Sequence, residues 1–185
     1  IWADQQGNIG WQAVGIAPVR KNFSGLVPVL GDGRYEWDGY LPILEKPNAA
    51  NPEKGYIATA NQNVTPADYT RWDAIGYSWS DPYRGERIDE VLGSRNDFTM
   101  NDMKALQVDV TSLPARTLIP LLETSSLSPS EEALKTKVMR WDFKLEPNSI
   151  AAAIYNAWEK EIIRHASAKS IPEVAKPYLS SLQLK

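Results

Sequence analysis

The chain has 185 residues, 43% hydrophobic and 23% charged, with a formal net charge of −3. That length supports a domain with a sizeable core, and the dispersed Lys and Arg imply neither a nucleic-acid partner nor an anionic membrane surface. No apolar run approaches a membrane span, and the absence of Cys excludes disulfides, thiolate catalysis and Cys-ligated metals.

Composition shifts along the chain. Five of the seven Trp fall in the first 79 residues (Trp2, Trp11, Trp37, Trp72 and Trp79), and the remainder is richer in Leu, Ala, Lys and Glu. This reads as an α+β chain, with a β- and loop-rich section over 1–80 followed by a helical section over 81–185. The chain begins at Ile1, without Met or leader signals, and so reads as an internal or processed segment.

Trp2-Ala3 and Ile9 to Gly15 flank Gln5-Gln6-Gly7-Asn8, the pattern of a β-hairpin. A lone hairpin is marginal in water. Few further strand candidates appear, so its sheet partners are expected outside this chain. Residues 18–55 hold five prolines and four glycines between Pro18 and Pro52, with Phe23, Tyr35, Trp37 and Tyr40 among them. They read as a long ordered loop held by fixed φ angles and aromatic contacts. Asn51-Pro52 and Gly55 then form a turn that feeds a short β-type run, Tyr56 to Ala60, which delivers Asn61 at its tip. A rigid strand end suits a neutral donor that must not move during a reaction. Asn61 to Asn63 also suits a plain polar turn, because Asn tolerates left-handed geometry.

Helices follow. Asp81 caps a helix with Pro82 at its first position, Ile88, Val91 and Leu92 inward, and Gly93 as its stop. Arg84 sits where the helix dipole disfavours a cation, so either another group holds it or it pairs on the surface with Asp81 or Asp89. A second helix starts at Thr99, with Met103, Leu106 and Val110 inward. A third covers Leu113 to Glu123, bent at Pro120. Ser128-Pro129-Ser130-Glu131 is a capping box opening a fourth, with Leu134, Val138 and Trp141 on one stripe. The fifth runs from Ser149 to His165 with Ile150, Ile154, Trp158 and Ile162 on one face, and a sixth spans Ile171 to Leu182. His165, the only histidine, fits a favourable charge at a helix C-terminus.

Gly7-Asn8-Ile9-Gly10-Trp11, Gly15 with Pro18 and Arg20, Val27-Pro28 with Gly31, Trp37 with Gly39, Asn51-Pro52 with Gly55-Tyr56-Ile57-Ala58, and Asn61 occur in order over the first part of the chain. Together they resemble the middle of the penicillin acylase family of N-terminal-nucleophile amidohydrolases, which includes acyl-homoserine-lactone acylases. The resemblance implies a piece of the nucleophile-bearing chain of a larger αββα hydrolase. Such an enzyme removes an acyl group from a penicillin-type or N-acyl-homoserine-lactone-type amide, in the periplasm or outside the cell. By resemblance Asn61 supplies the oxyanion donor and Arg84 orients it. Asp73 aligns with a calcium-binding carboxylate, although one carboxylate is not a site, and no organic cofactor is implied. The expected partners are the other chains or segments of the same precursor and a small acyl-amide substrate. Ile1 cannot be the nucleophile, so this chain alone is expected to be inactive. The alternative is a non-catalytic module that binds a ligand such as carbohydrate through the front-half aromatics.

Overall fold

The computed structural model describes residues 1–178. At the first turn, Asp4 Oδ1 accepts from the Gln6 and Asn8 amides at 3.0 and 2.8 Å, and Gly7 takes φ +86°. This local bonding closes the hairpin of β1 (Trp2–Ala3) and β2 (Ile9–Gln12), which pair antiparallel with Trp2 opposite Gly10. The Trp2 indole lies over Gly10 so closely that a Cβ there would meet it at 2.2 Å.

The hairpin does find a partner within the chain, contrary to the expectation from sequence. β5 (Asn48–Ala50) pairs with the other side of β2, giving the order β1-β2-β5. The expected loop over 18–55 also contains β3 (Pro18–Arg20) and β4 (Trp37–Tyr40), an antiparallel pair with an irregular register, and a 3₁₀ turn over Ile43–Glu45. These strands escape a pattern search because each has only three or four residues, and Pro18 and Gly39 lie within them. Conversely, Tyr56 to Ala60 is not a strand: among the described residues nothing forms a ladder with it. It is tied instead by side chains, with the Tyr56 hydroxyl donating to the Asp89 carbonyl at 3.2 Å.

The chain divides between Leu106 and Gln107 into two compact units. In the first, Ala17, Leu41 and Ala74 form a small core flanked by Val19 and Ile75. Its helices are α1 (Trp72–Ile75), α2 (Tyr83–Leu92) and most of α3 (Met100–Gln107). α2 keeps its expected limits within one residue. Asp81 Oδ1 accepts from the Tyr83 amide at 3.2 Å, and Gly93 is the C-cap. α3 ends at Gln107, so Val110 lies beyond it and is exposed.

The second unit packs α4 (Leu113–Leu118), α5 (Pro129–Met139) and α6 (Ile150–Ser170) around Ala115, Ile119, Val138, Trp141, Ala152 and Tyr155. Ser112 caps α4, accepting from the Ala115 amide at 3.2 Å. Pro120 lacks an N–H, and there the helix tightens into a 3₁₀ turn over Ile119–Leu122. On α5 the buried face is Val138, with Leu134 exposed. On α6 it is Ala152 and Tyr155, with Ile150 exposed. Val138 and Trp141 of the expected α5 stripe are in the core, and Ile154 and Trp158 of the α6 stripe pack against it; the stripes miss at Leu134 and Ile150, and the fully covered positions of α6 are the small Ala152 and the aromatic Tyr155. The last expected helix is a 3₁₀ turn over Glu173–Tyr178, and residues 179–182 of that expectation lie outside the described residues. Among the described residues no helix is long and apolar enough to cross a membrane.

Candidate active site

The irregular segment after Tyr56 is gripped by the first turn of α2. Arg84 Nη2 donates both to the Ala60 carbonyl at 2.7 Å and to Asn61 Oδ1 at 2.9 Å. Gln62 Oε1 accepts from the Ala60 amide at 2.6 Å, and the Ser80 amide donates to the Asn61 carbonyl at 3.0 Å. Asn61 itself sits at φ +70°, a left-handed backbone that Asn tolerates better than most residues. Side chains thus do at this turn what a strand ladder was expected to do.

The Arg84 contact also sets which way the Asn61 carboxamide faces. A guanidinium only donates, so the carbonyl end of the amide must face it and the NH₂ end is turned away. Among the described residues Asn61 Nδ2 has no hydrogen-bond partner. Beside it lies an open groove of about 580 Å³ whose walls include Trp11, Thr59, Val64, Trp79 and Ser80. A neutral, oriented and unspent N–H donor at the edge of an aromatic groove is suited to an oxygen that becomes anionic.

Arg84 pairs with neither Asp81 nor Asp89. Asp89 is taken by Lys54 at 3.0 Å, and the Lys54 ammonium also lies 4.5 Å from the centre of the Tyr56 ring. Burial pushes the Tyr56 hydroxyl above the ordinary phenol range, with its contact to Asp89 adding to the effect. Tyr56 therefore serves as a neutral tether between the segment and α2.

Asp73 lies apart from this constellation, on α1. Its two carboxylate oxygens face Arg71, at 3.2 Å from Nε and 3.3 Å from Nη2, and Arg71 also pairs with Glu45. Asp73, with these neighbours, holds the Arg71 guanidinium above its ordinary range. Among the described residues no three His, Cys, Asp or Glu side chains are grouped as metal ligands. His165 sits on the exposed side of α6 next to Glu161 and Arg164.

Sequence reasoning missed Gln62 as a partner of Ala60. It could have been sought from Gly85, an unexplained glycine inside a helix. The exposed rings of Trp37 and Tyr40 meet at 65° rather than forming a flat stacking face.

A profile of the penicillin amidase family matches residues 1–183. The chain is 35% identical over 180 residues to an acyl-homoserine lactone acylase, QuiP, of Pseudomonas fluorescens, covering 89% of this chain and 22% of that protein. It is 33% identical to a penicillin acylase 2 proenzyme of a Pseudomonas species, covering 92% and 22%. It is 30% identical to penicillin G acylase of Escherichia coli, with the same coverage. Among solved structures, a thermostable penicillin G acylase from Alcaligenes faecalis superposes with a TM-score of 0.71 at 24% identity, over 95% of this chain and 33% of that one. The chain thus spans about a fifth of the length of the curated relatives it matches.

Proposed function

Because the chain belongs to the penicillin amidase family, we propose that it carries the oxyanion donor of an acylase that hydrolyses the amide between an acyl group and an amine-bearing partner. The observation that carries this reading is the 2.9 Å bond from Arg84 Nη2 to Asn61 Oδ1, which leaves Nδ2 as the free end of a fixed carboxamide. In the proposed reaction a hydroxyl from sequence outside this chain attacks the acyl carbonyl. By the family resemblance this hydroxyl belongs to an N-terminal Ser whose own α-amine takes the proton. As the C–O bond forms, the carbonyl electron pair moves onto oxygen, and Asn61 Nδ2 donates to that oxyanion. Collapse breaks the C–N bond, and the amine leaves with the proton held by the base. Water then releases the acid from the acyl-enzyme by the same steps.

A side-chain amide suits this work because it donates without titrating, and Arg84 keeps it from rotating. The relatives are named for N-acyl homoserine lactones and penicillins. Both compounds carry an acyl amide on a small ring system, and that is the substrate class we propose. The reading extends to a precursor whose other segments supply the nucleophile, and to a periplasmic or secreted location, both on family grounds. A calcium ion at Asp73 would require Arg71 to release the carboxylate and ligands from outside the described residues; no step depends on it.

The test is turnover of an acyl-amide substrate by the complete acylase that contains this chain. Asn61→Ala should lower kcat by about 10²–10³-fold with little change in KM, as for loss of one oxyanion donor elsewhere. A kcat near wild type would reject the assignment.

A further inference from the structure

We propose that Gln62 and Gly85 form a matched lock that positions Asn61. This rests on the reading of Asn61 as the oxyanion donor. Ala60 is buried, with 8% of its surface exposed, and both of its backbone polar groups are met by side chains. Gln62 Oε1 accepts from its N–H at 2.6 Å, and Arg84 Nη2 donates to its carbonyl at 2.7 Å. Gln62 makes its bond by lying against α2 over Gly85, the buried residue of that helix. A Cβ on residue 85 would stand 2.4 Å from the Gln62 amide carbon and from Nε2, and 2.9 Å from Cγ.

Those atoms belong to a flexible side chain that could in principle swing aside. Doing so would break its bond to the Ala60 N–H and strand a buried donor, so the move is opposed. Glycine is among the poorest residues for a helix interior. Here it has a local purpose, which is to leave the space that the carboxamide fills. Adjacent residues of one helical turn therefore act on one short segment. Arg84 takes the carbonyl oxygens of Ala60 and of the Asn61 side chain, while Gly85 admits the group that takes the Ala60 amide. With Ala60 held at both its N–H and its C=O, the left-handed Asn61 that follows has a fixed starting point. Gln62 also lines the groove at Asn61, but its Oε1 is spent on the Ala60 amide, and in this account it is a positioning residue.

The test is a double-mutant cycle in the complete acylase, with Asn61→Ala run in parallel. Gly85→Ala should lower kcat by about 10- to 10²-fold with KM nearly unchanged, the scale expected when a reacting group is displaced by about 1 Å. Gln62→Met keeps the volume but lacks the strong acceptor and should fall similarly. Gln62→Glu keeps the acceptor and should recover most of the rate. In a Gln62→Ala background, Gly85→Ala should add no further loss, because the new methyl enters vacated space. Equal losses from Gly85→Ala in both backgrounds, or a Gln62→Met enzyme at wild-type rate, would overturn the lock. If Asn61→Ala alone leaves turnover intact, the oxyanion reading fails instead, and the lock is judged by exchange of the Ala60 amide proton. That exchange should accelerate in Gln62→Met and Gly85→Ala, and unchanged exchange overturns the lock as well.

Discussion

At Asn61 two requirements meet in one residue, a left-handed backbone at φ +70° and a carboxamide held by Arg84. Substitution can separate them. Asn61→Gly keeps the backbone free to adopt the turn, whereas Asn61→Ala also places a Cβ in the unfavourable region. Both variants lose the proposed donor and, on that reading, should lose activity alike. Asn61→Ala should be the less stable of the two by about 1 kcal/mol, read as a lower midpoint in denaturant titration. The sequence made Asn61 and Arg84 legible for different reasons. Asn61 ends an apolar run within the stretch that carries the family resemblance, and Arg84 stands as an out-of-place cation in a first turn. Gln62 itself bears no such mark; the one hint is the helix-interior Gly85, 23 positions away, and only the folded chain brings the two together.

At the level of elements, capping chemistry was the most readable signal, and short strands the least. Asp81, Thr99 and Ser128 stand at or next to the starts of helices, since a side-chain oxygen beside orphan amides is a local arrangement that the sequence states directly. β3, β4 and β5 depend on pairing with distant residues, and with three or four positions each they show no usable alternation. Tyr56 to Ala60 failed in the opposite sense, because an apolar run with β-propensity still needs a ladder partner. The capping box of α5 gives an acid-dependent prediction. Glu131 Oε2 accepts from the Ser128 amide at 2.9 Å and from its hydroxyl at 2.5 Å. The Ser128 hydroxyl bond foremost, then the amide bond, holds the Glu131 carboxyl below the usual glutamate range. A carboxyl depressed on folding stabilises fully above its unfolded value of about pH 4.3, and this contribution disappears as pH falls through the lower folded value. Thermal melts across that window should therefore show a steeper loss for the wild-type chain than for Glu131→Gln, which keeps a capping side chain that does not titrate.

For the molecule as a whole, the two compact units are unequal in how they are held. The first has a core of only three buried residues, supplemented by polar ties such as Asn51 Oδ1 accepting from the Ile9 amide at 2.9 Å. The second has a conventional helical core around Ile119 and Tyr155, both essentially sealed from solvent. Ile119→Ala should thus cost about 2–5 kcal/mol, measured by far-UV circular dichroism in denaturant, because the deleted atoms leave a cavity in packed surroundings. A loss below about 1 kcal/mol would mean that this core collapses around the deletion. The shift from strands and loops to helices follows where the Trp and the Leu and Ala concentrate, but the compact units part at 106/107 rather than at the expected 80/81, since α2 and most of α3 belong to the first. The dependence of the front on side-chain ties was not readable, since hydrogen bonds between residues tens of positions apart have no signature in composition.

Arg84 leaves one further mark on the chemistry. Its Nη2 holds the Ala60 backbone and the Asn61 amide at once, so the shape of the segment and the aim of the amide rest on a single guanidinium nitrogen. The proposed donor could not then swing without loosening the stretch of backbone that carries it.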